Sequence, residues 1–94
     1  MTITGRDILW NFANNHADTK GALQAWVKEV ECAGWKTPKD VKARFNSVDF
    51  RPGNRIIFNI KGNNYRLVVA VAYQASVVRV VWMGTHAEYD KMKF

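Results

Sequence analysis

Two hydrophobic rhythms divide the chain near Asn46. From Arg6 to His16 the apolar residues Ile8, Leu9, Phe12 and Ala13 recur at intervals of three and four, and Leu23, Trp26, Val27 and Val30 repeat that pattern one segment later. Such spacing gathers the apolar groups on one side of a helical turn, so two amphipathic helices are predicted. Asp18 or Thr19 can cap the second with a side-chain oxygen, and Gly34 is placed to end it. Thr37 followed by Pro38 is an N-cap and first-turn pair, and Val41 with Phe45 give a third, shorter helix a single apolar side.

Beyond Asn46 the period falls to two. Val48 with Phe50, Arg55 to Ile60, Tyr65 to Tyr73 and Val77 to Met83 are the four strands this predicts. The break Lys61, Gly62, Asn63, Asn64 supplies residues that tolerate positive φ, and Gln74, Ala75, Ser76 is a second tight connection. Neighbouring strands should therefore pair antiparallel, as a meander. Thr85 stands three residues before Glu88, a capping-box spacing that starts a short terminal helix over His86 to Met92. No repeat, low-complexity run or Pro, Gly or Ser linker interrupts the chain, which implies one α+β domain over residues 1–94.

Alternation also assigns the two faces of the sheet. Ile56, Phe58, Ile60, Tyr65, Leu67, Val69, Val71, Tyr73, Val78, Val80 and Trp82 share one parity, nearly all large and apolar, and should bury against the helices. The other parity holds Arg55, Ile57, Asn59, Lys61, Arg66, Val68, Ala70, Ala72, Val77, Arg79, Val81 and Met83. The three strands that carry its four cations offer no acidic residue to neutralise them, and burying them unpaired would be costly, so this face should open to solvent or to an anion. Val68, Ala70, Ala72 and Val81 would give it a shallow apolar floor, which favours a phosphate-binding surface over a merely wetted one.

Composition sharpens this picture in three ways. Hydrophobic residues make up 48% of the 94 positions, enough for a core without staples. Fourteen Lys and Arg against eight Asp and Glu give a net charge of +6, of which the segment after Asn46 holds +4, so a polyanionic partner is favoured. Cys32 is the only cysteine, which excludes an internal disulfide and a multi-thiolate zinc site; a buried, small apolar role is expected for it. His16 lies far from the other histidine with no cysteine nearby, so no metal site and no cofactor are expected. Trp10, Trp26 and Trp35 read as core or helix-packing residues; Trp82 could stack a base, but its parity with Val78 and Val80 favours the core. With no apolar run long enough for a signal peptide or a membrane span, a cytoplasmic location without membrane contact is expected.

The chemistry-bearing segment is Thr85 to Lys91. His86, Tyr89 and Asp90 fall at helical offsets of three and four, so one side of a single turn presents an imidazole, a phenol and a carboxylate. An imidazole and a phenol beside cations suit general acid or base work; equally, such a helix could simply pack and cap.

The stretch Asn59 to Leu67, of pattern N-x-x-G-N-x-x-R-L, followed by T-H-x-x-Y-D at Thr85 to Asp90, resembles the HigB family of toxins, and the segment Lys42 to Asp49 is also similar. The resemblance is carried by the C-terminal half, with the helical half matching by pattern only. It implies a RelE-like fold, with helices on one face of a small antiparallel sheet and the open face receiving mRNA. It further implies a metal-independent endoribonuclease that cleaves mRNA on the ribosome during translation. Neutralisation by a HigA-type antitoxin would follow, the complex binding its own operator DNA. In such an enzyme the RNA's own 2′-hydroxyl is the nucleophile, so a base, an acid and cations around phosphorus are required. The resemblance carries Arg66, His86, Tyr89 and Asp90 over as catalytic residues; from the basic face, Arg66 and Arg79 are expected to hold the scissile phosphate. His86 would exchange protons, Tyr89 would support or share that task, and Asp90 would orient one of them. Arg55, Asn59, Lys61, Asn63, Arg79 and Lys91 complete the expected RNA-contacting set. The competing expectations are a toxin of the same fold that blocks a protein target such as gyrase without catalysis, and a plain RNA-binding module.

Overall fold

In the computed structural model, which describes residues 1–92, the chain runs β1 (Thr2–Thr4), α1 (Arg6–Asn15), α2 (Lys20–Glu31), α3 (Pro38–Arg44), β2 (Asp49–Arg51), β3 (Arg55–Ile60), β4 (Tyr65–Ala72), β5 (Val77–Thr85) and α4 (His86–Asp90). A 3-10 turn over Ala17–Thr19 joins α1 to α2. The strands form one sheet in the order β1-β5-β4-β3-β2. From β2 to β5 it is the expected antiparallel meander.

The sheet has five strands and is mixed, because Thr2–Thr4 adds a parallel edge along Val77–Arg79 of β5. Three residues are too few to show a period, and the pairing partner lies most of the chain away, so nothing local announces β1. Gly5 then turns the chain into α1 with φ 77°, and a Cβ there would stand 2.7 Å from the Val80 carbonyl oxygen. Glycine is needed for both reasons. The N-terminal ammonium donates to the carbonyls of Val30, Glu31 and Ala33, tying the start of β1 to the end of α2.

The expected N-caps Thr37 and Thr85 both start their helices, and each closes a capping box. Around α3 the Asp40 carboxylate accepts the backbone N–H groups of Lys36 and Thr37 at 2.9 and 3.1 Å, which holds it below the usual carboxylate range. The second helix begins and ends differently from expectation. Neither Asp18 nor Thr19 caps it by side chain: the buried Thr19 hydroxyl donates to the His16 carbonyl, and Asp18 accepts from the Tyr65 hydroxyl. The helix stops at Glu31 with Cys32 as its C-cap, short of Gly34. Cys32 is exposed, not buried, because the helix has already delivered Val27 and Val30 to the core and the next residue turns outward.

The core lies between the helices and one face of the sheet, where Leu9, Leu23, Trp26, Val30, Val41, Ile56, Phe58, Leu67, Val69, Val78 and Val80 are all buried. Trp35 and Phe45 pack around Phe58, with ring centroids 6.3 and 5.0 Å away. Trp26 and Trp35 are core residues and Trp10 packs at its margin, as expected. Among the described residues no helix is long and apolar enough to cross a membrane.

One irregularity decides what stands on the open face. Val68 pairs with Trp82 but Val69 pairs with Val80, so Val81 is an extra residue in β5 without a partner in the ladder. A bulge of this kind reverses parity beyond itself. Met83, opposite Leu67, therefore belongs to the core cluster, and Trp82, opposite Val68, is moved to the open face. The period-two assignment of both residues is thereby inverted.

Candidate functional site

The open face is built from rows that the strand register fixes. Arg55, Ala70 and Arg79 form one row; Ile57, Val68 and Trp82 the next; Asn59, Arg66 and Gly84 the third. Ile57 and Val68 are 1% and 0% exposed although they face away from the helical core, so they form a small covered base beneath the third-row and α4 side chains. The expected apolar floor is thus roofed at Val68, while Ala72 is exposed and Ala70 half-buried.

The roof is set by α4. Thr85 accepts the Glu88 N–H at 3.1 Å, and the Glu88 carboxylate accepts the Thr85 N–H at 2.8 Å, which holds Glu88 below the usual carboxylate range. The His86 N–H donates to the Asn64 carbonyl, locking the start of α4 against the hairpin turn at Lys61 to Asn64, where Lys61 and Gly62 adopt φ 54° and 68°. This places His86 beside Arg66 of the adjoining strand.

Three of the four expected catalytic groups meet there, and the fourth stands behind them. Arg66 Nη2 lies 2.8 Å from His86 Nε2, and Arg66 Cζ lies 4.9 Å from the centre of the Tyr89 ring. Asp90 Oδ2 stands 3.3 Å from His86 Nδ1. A guanidinium has only donors, so His86 Nε2 must be the acceptor and Nδ1 the protonated nitrogen that faces Asp90. The two neighbours therefore select one tautomer. Arg66 Nε is buried and has no hydrogen-bond partner among the described residues, an unsatisfied donor at the centre of the cluster.

Two residues that sequence reasoning did not place in the site complete the cluster. Arg51, on the edge strand β2, reaches across the face so that its Nη2 donates to the Tyr89 hydroxyl at 3.4 Å, and it also pairs with Asp49 at 3.1 Å. Tyr89 first and Asp49 after it hold the Arg51 guanidinium above its usual range. Trp82 is tilted against Tyr89 with centroids 6.2 Å apart. The signal for Arg51 was its place beside Asp49 and Phe50 in a strand with alternating parity; for Trp82 no local signal survives the bulge.

The remaining expected contacts are dispersed. Arg79 and Arg55 share the row two steps along the sheet from Arg66, Arg79 exposed and Arg55 partly turned back to donate to the Pro52 carbonyl at 3.2 Å. Lys61 lies in the hairpin turn and pairs with Asp18 at 3.7 Å, on the helical side of the molecule, so the strand parity does not bring it to the cluster. Asn59 shares the row of Arg66, but its amide donates to the Ser47 carbonyl. Asn63 is exposed at the turn and Lys91 is exposed at the end of α4. His16 is drawn into packing: its ring stacks on Phe12 at 4.1 Å, and Nδ1 lies 3.3 Å from the Phe12 carbonyl.

The arrangement can hold an anion between arginines and pass a proton through an oriented imidazole or a phenol. The comparisons with known proteins agree with this reading of the fold. No curated protein matches the chain significantly. A family model described as the RelE-like toxic component of a toxin-antitoxin system matches residues 19–92, which takes in α2 through α4 and both sequence motifs. The chain belongs to the HigB toxin family, RelE-like toxins whose toxin-antitoxin systems supply each with an antitoxin partner.

Proposed function

We propose that this toxin is a metal-independent, ribosome-dependent endoribonuclease that cuts mRNA during translation, acts in the cytoplasm, and is silenced by a HigA-type antitoxin whose complex with it binds operator DNA. The observation that carries the enzymatic reading is the chain of contacts from Asp90 through His86 to Arg66, with Tyr89 against the same guanidinium. A surface built only to block a target has no use for an imidazole fixed in one tautomer beside an anion-seeking cation.

The chemistry follows from the groups present. In RNA the 2′-oxygen attacks the neighbouring phosphorus, its proton goes to a base, the bond from phosphorus to the 5′-oxygen breaks, and an acid protonates that leaving oxygen. The products are a 2′,3′-cyclic phosphate and a 5′-hydroxyl. Arg66 takes the non-bridging oxygens, satisfying its unpartnered Nε and offsetting the charge that grows on them. When Nη2 turns to the phosphate it leaves His86 Nε2, whose lone pair is then available as a base while Asp90 keeps Nδ1 protonated. Tyr89, its hydroxyl at the cluster beside Arg51, is the acid that protonates the leaving oxygen. Arg79 and Arg55, one row beyond the covered base, bind the phosphates of flanking nucleotides.

The test is cleavage of mRNA on programmed ribosomes by the purified chain, read as discrete cuts within the A-site codon that bear 2′,3′-cyclic ends. Growth arrest without such cuts would leave a target-blocking toxin in its place, and cuts that persist unchanged in an Arg66→Ala chain would contradict the role given to Arg66.

A further inference from the structure

The strand that ends in the active turn carries one aromatic residue on the wrong parity for the core. Because Val81 is unpaired, Trp82 leaves the helical side and stands on the open face, in the row adjoining Arg66 and against Tyr89. Trp82 is only partly buried, unlike Trp26 and Trp35 at 3% and 5% exposed. The next residue on that face is Gly84, and a Cβ at this position would overlap Cη2 and Cζ2 of the indole. The benzene end of the ring therefore lies across a position kept bare by glycine, with Ile57 and Val68 covered in the same row.

We propose that Trp82 is a stacking platform for one nucleobase of the substrate, next to the phosphate held by Arg66. This deepens the ribonuclease reading and rests on it. An aromatic face beside a cationic track is how single-stranded nucleic acid is held, since the backbone follows the charges and every base offers a π-face to the ring. The geometry meets that need at short range: Arg66 and Arg51 both contact Tyr89, and Trp82 lies tilted against the same ring at 6.2 Å. A phosphate at Arg66 thus puts an adjacent base within one nucleotide of the indole. Stacking would pull that base away from its neighbours and help set the ribose and phosphate in line for attack by the 2′-oxygen. Trp82 is accordingly a positioning residue, with no part in proton transfer.

The decisive experiment combines a change in the protein with a change in the RNA. Cleavage rates on programmed ribosomes are measured for the wild-type chain, Trp82→Phe and Trp82→Leu, each with intact mRNA and with an abasic ribonucleotide at each A-site codon position in turn. Wild type should lose about 5- to 150-fold at one codon position, the range that a base-aromatic stack is worth. Trp82→Leu should show that loss already with intact mRNA and lose nothing more at that position, while Trp82→Phe retains most of the effect. Gly84→Ala, which displaces the indole without removing it, should behave as Trp82→Leu does, and it supplies the same comparison if Trp82→Leu fails to fold. Losses that multiply independently at every codon position would overturn the stacking role and leave the ribonuclease standing. Absence of cleavage by wild type on intact mRNA would remove both.

Discussion

The two histidines of this chain are both half-buried and both stand at a helix end near the β3–β4 hairpin, His16 as the C-cap of α1 and His86 as the first residue of α4, yet their surroundings differ. His16 packs between rings: it lies parallel to Phe12 at 4.1 Å and edge-on to Tyr65 at 5.5 Å, and its Nδ1 is 3.3 Å from a carbonyl of its own helix. His86 is held on both nitrogens by charged groups from different positions, Arg66 on one strand and Asp90 one turn along. Burial alone does not distinguish the two imidazoles; their partners do. Tyr65 and Tyr89 repeat the lesson. The Tyr65 hydroxyl donates to Asp18, which raises it above the usual tyrosine range, whereas the Tyr89 hydroxyl receives a hydrogen bond from Arg51.

The comparison is broken most forcefully at Arg66. Arg66→Ala should fold, since the side chain lies outside the helical core, and should lower the cleavage rate by about 100- to 1,000-fold, the cost of removing one donor to developing charge. A single-turnover rate beside a thermal melt checks both halves of that statement. At the other histidine the signs reverse. His16→Ala removes a stacked and an edge-on ring contact worth about 1 kcal/mol and should lower the melting temperature by roughly 4–8 °C, leaving the cleavage rate of the folded chain within about twofold.

Smaller effects come from the charges away from the cluster. Arg55→Ala and Arg79→Ala should weaken binding to ribosome-bound mRNA and each reduce the slope of log affinity against log salt by about 0.7, with the chemical step unchanged. Lys61→Ala should alter that slope least, because Lys61 pairs with Asp18 on the helical side. The smallest effect is the response of α4 to acid. Glu88 has a lowered folded value because it accepts the Thr85 N–H and lies near the Thr85 hydroxyl, so its capping contribution is complete at neutral pH and is lost as pH falls through that value. Amide exchange at Glu88 and Thr85 should accelerate below the ordinary carboxylate range while amides of β4 remain protected.

Much of this fold was legible because its signals are local. The apolar spacing in α1 and α2, the Thr37–Pro38 pair, the Thr85 capping box and the positive-φ residues of the Lys61 to Asn64 turn each act within a few positions. The elements that escaped depend on distant pairing. Thr2–Thr4 is a strand only because β5 offers a parallel edge, and the bulge at Val81 is invisible in a run where valines occupy both parities. That single extra residue exchanges Trp82 and Met83 between faces. Within the site, the two motifs bring Arg66, His86, Tyr89 and Asp90 together as their spacing suggests, while Arg51 arrives from an edge strand with no motif of its own. Lys61 fails to join them because parity stops at the end of β3, and a turn residue follows its own φ.

The most direct test of the account is the single-turnover cleavage of A-site mRNA by His86→Gln set against His16→Gln, with the melting temperature of each chain recorded. His86→Gln should keep the wild-type melt and lose about 100-fold or more in rate, as removal of a general base requires. His16→Gln should show the reverse, a lower melt and a nearly wild-type rate. Equal rates for wild type and His86→Gln, or a loss of rate that merely follows the loss of folded protein, would contradict the claim that the Arg66, His86 and Tyr89 cluster is a ribonuclease centre.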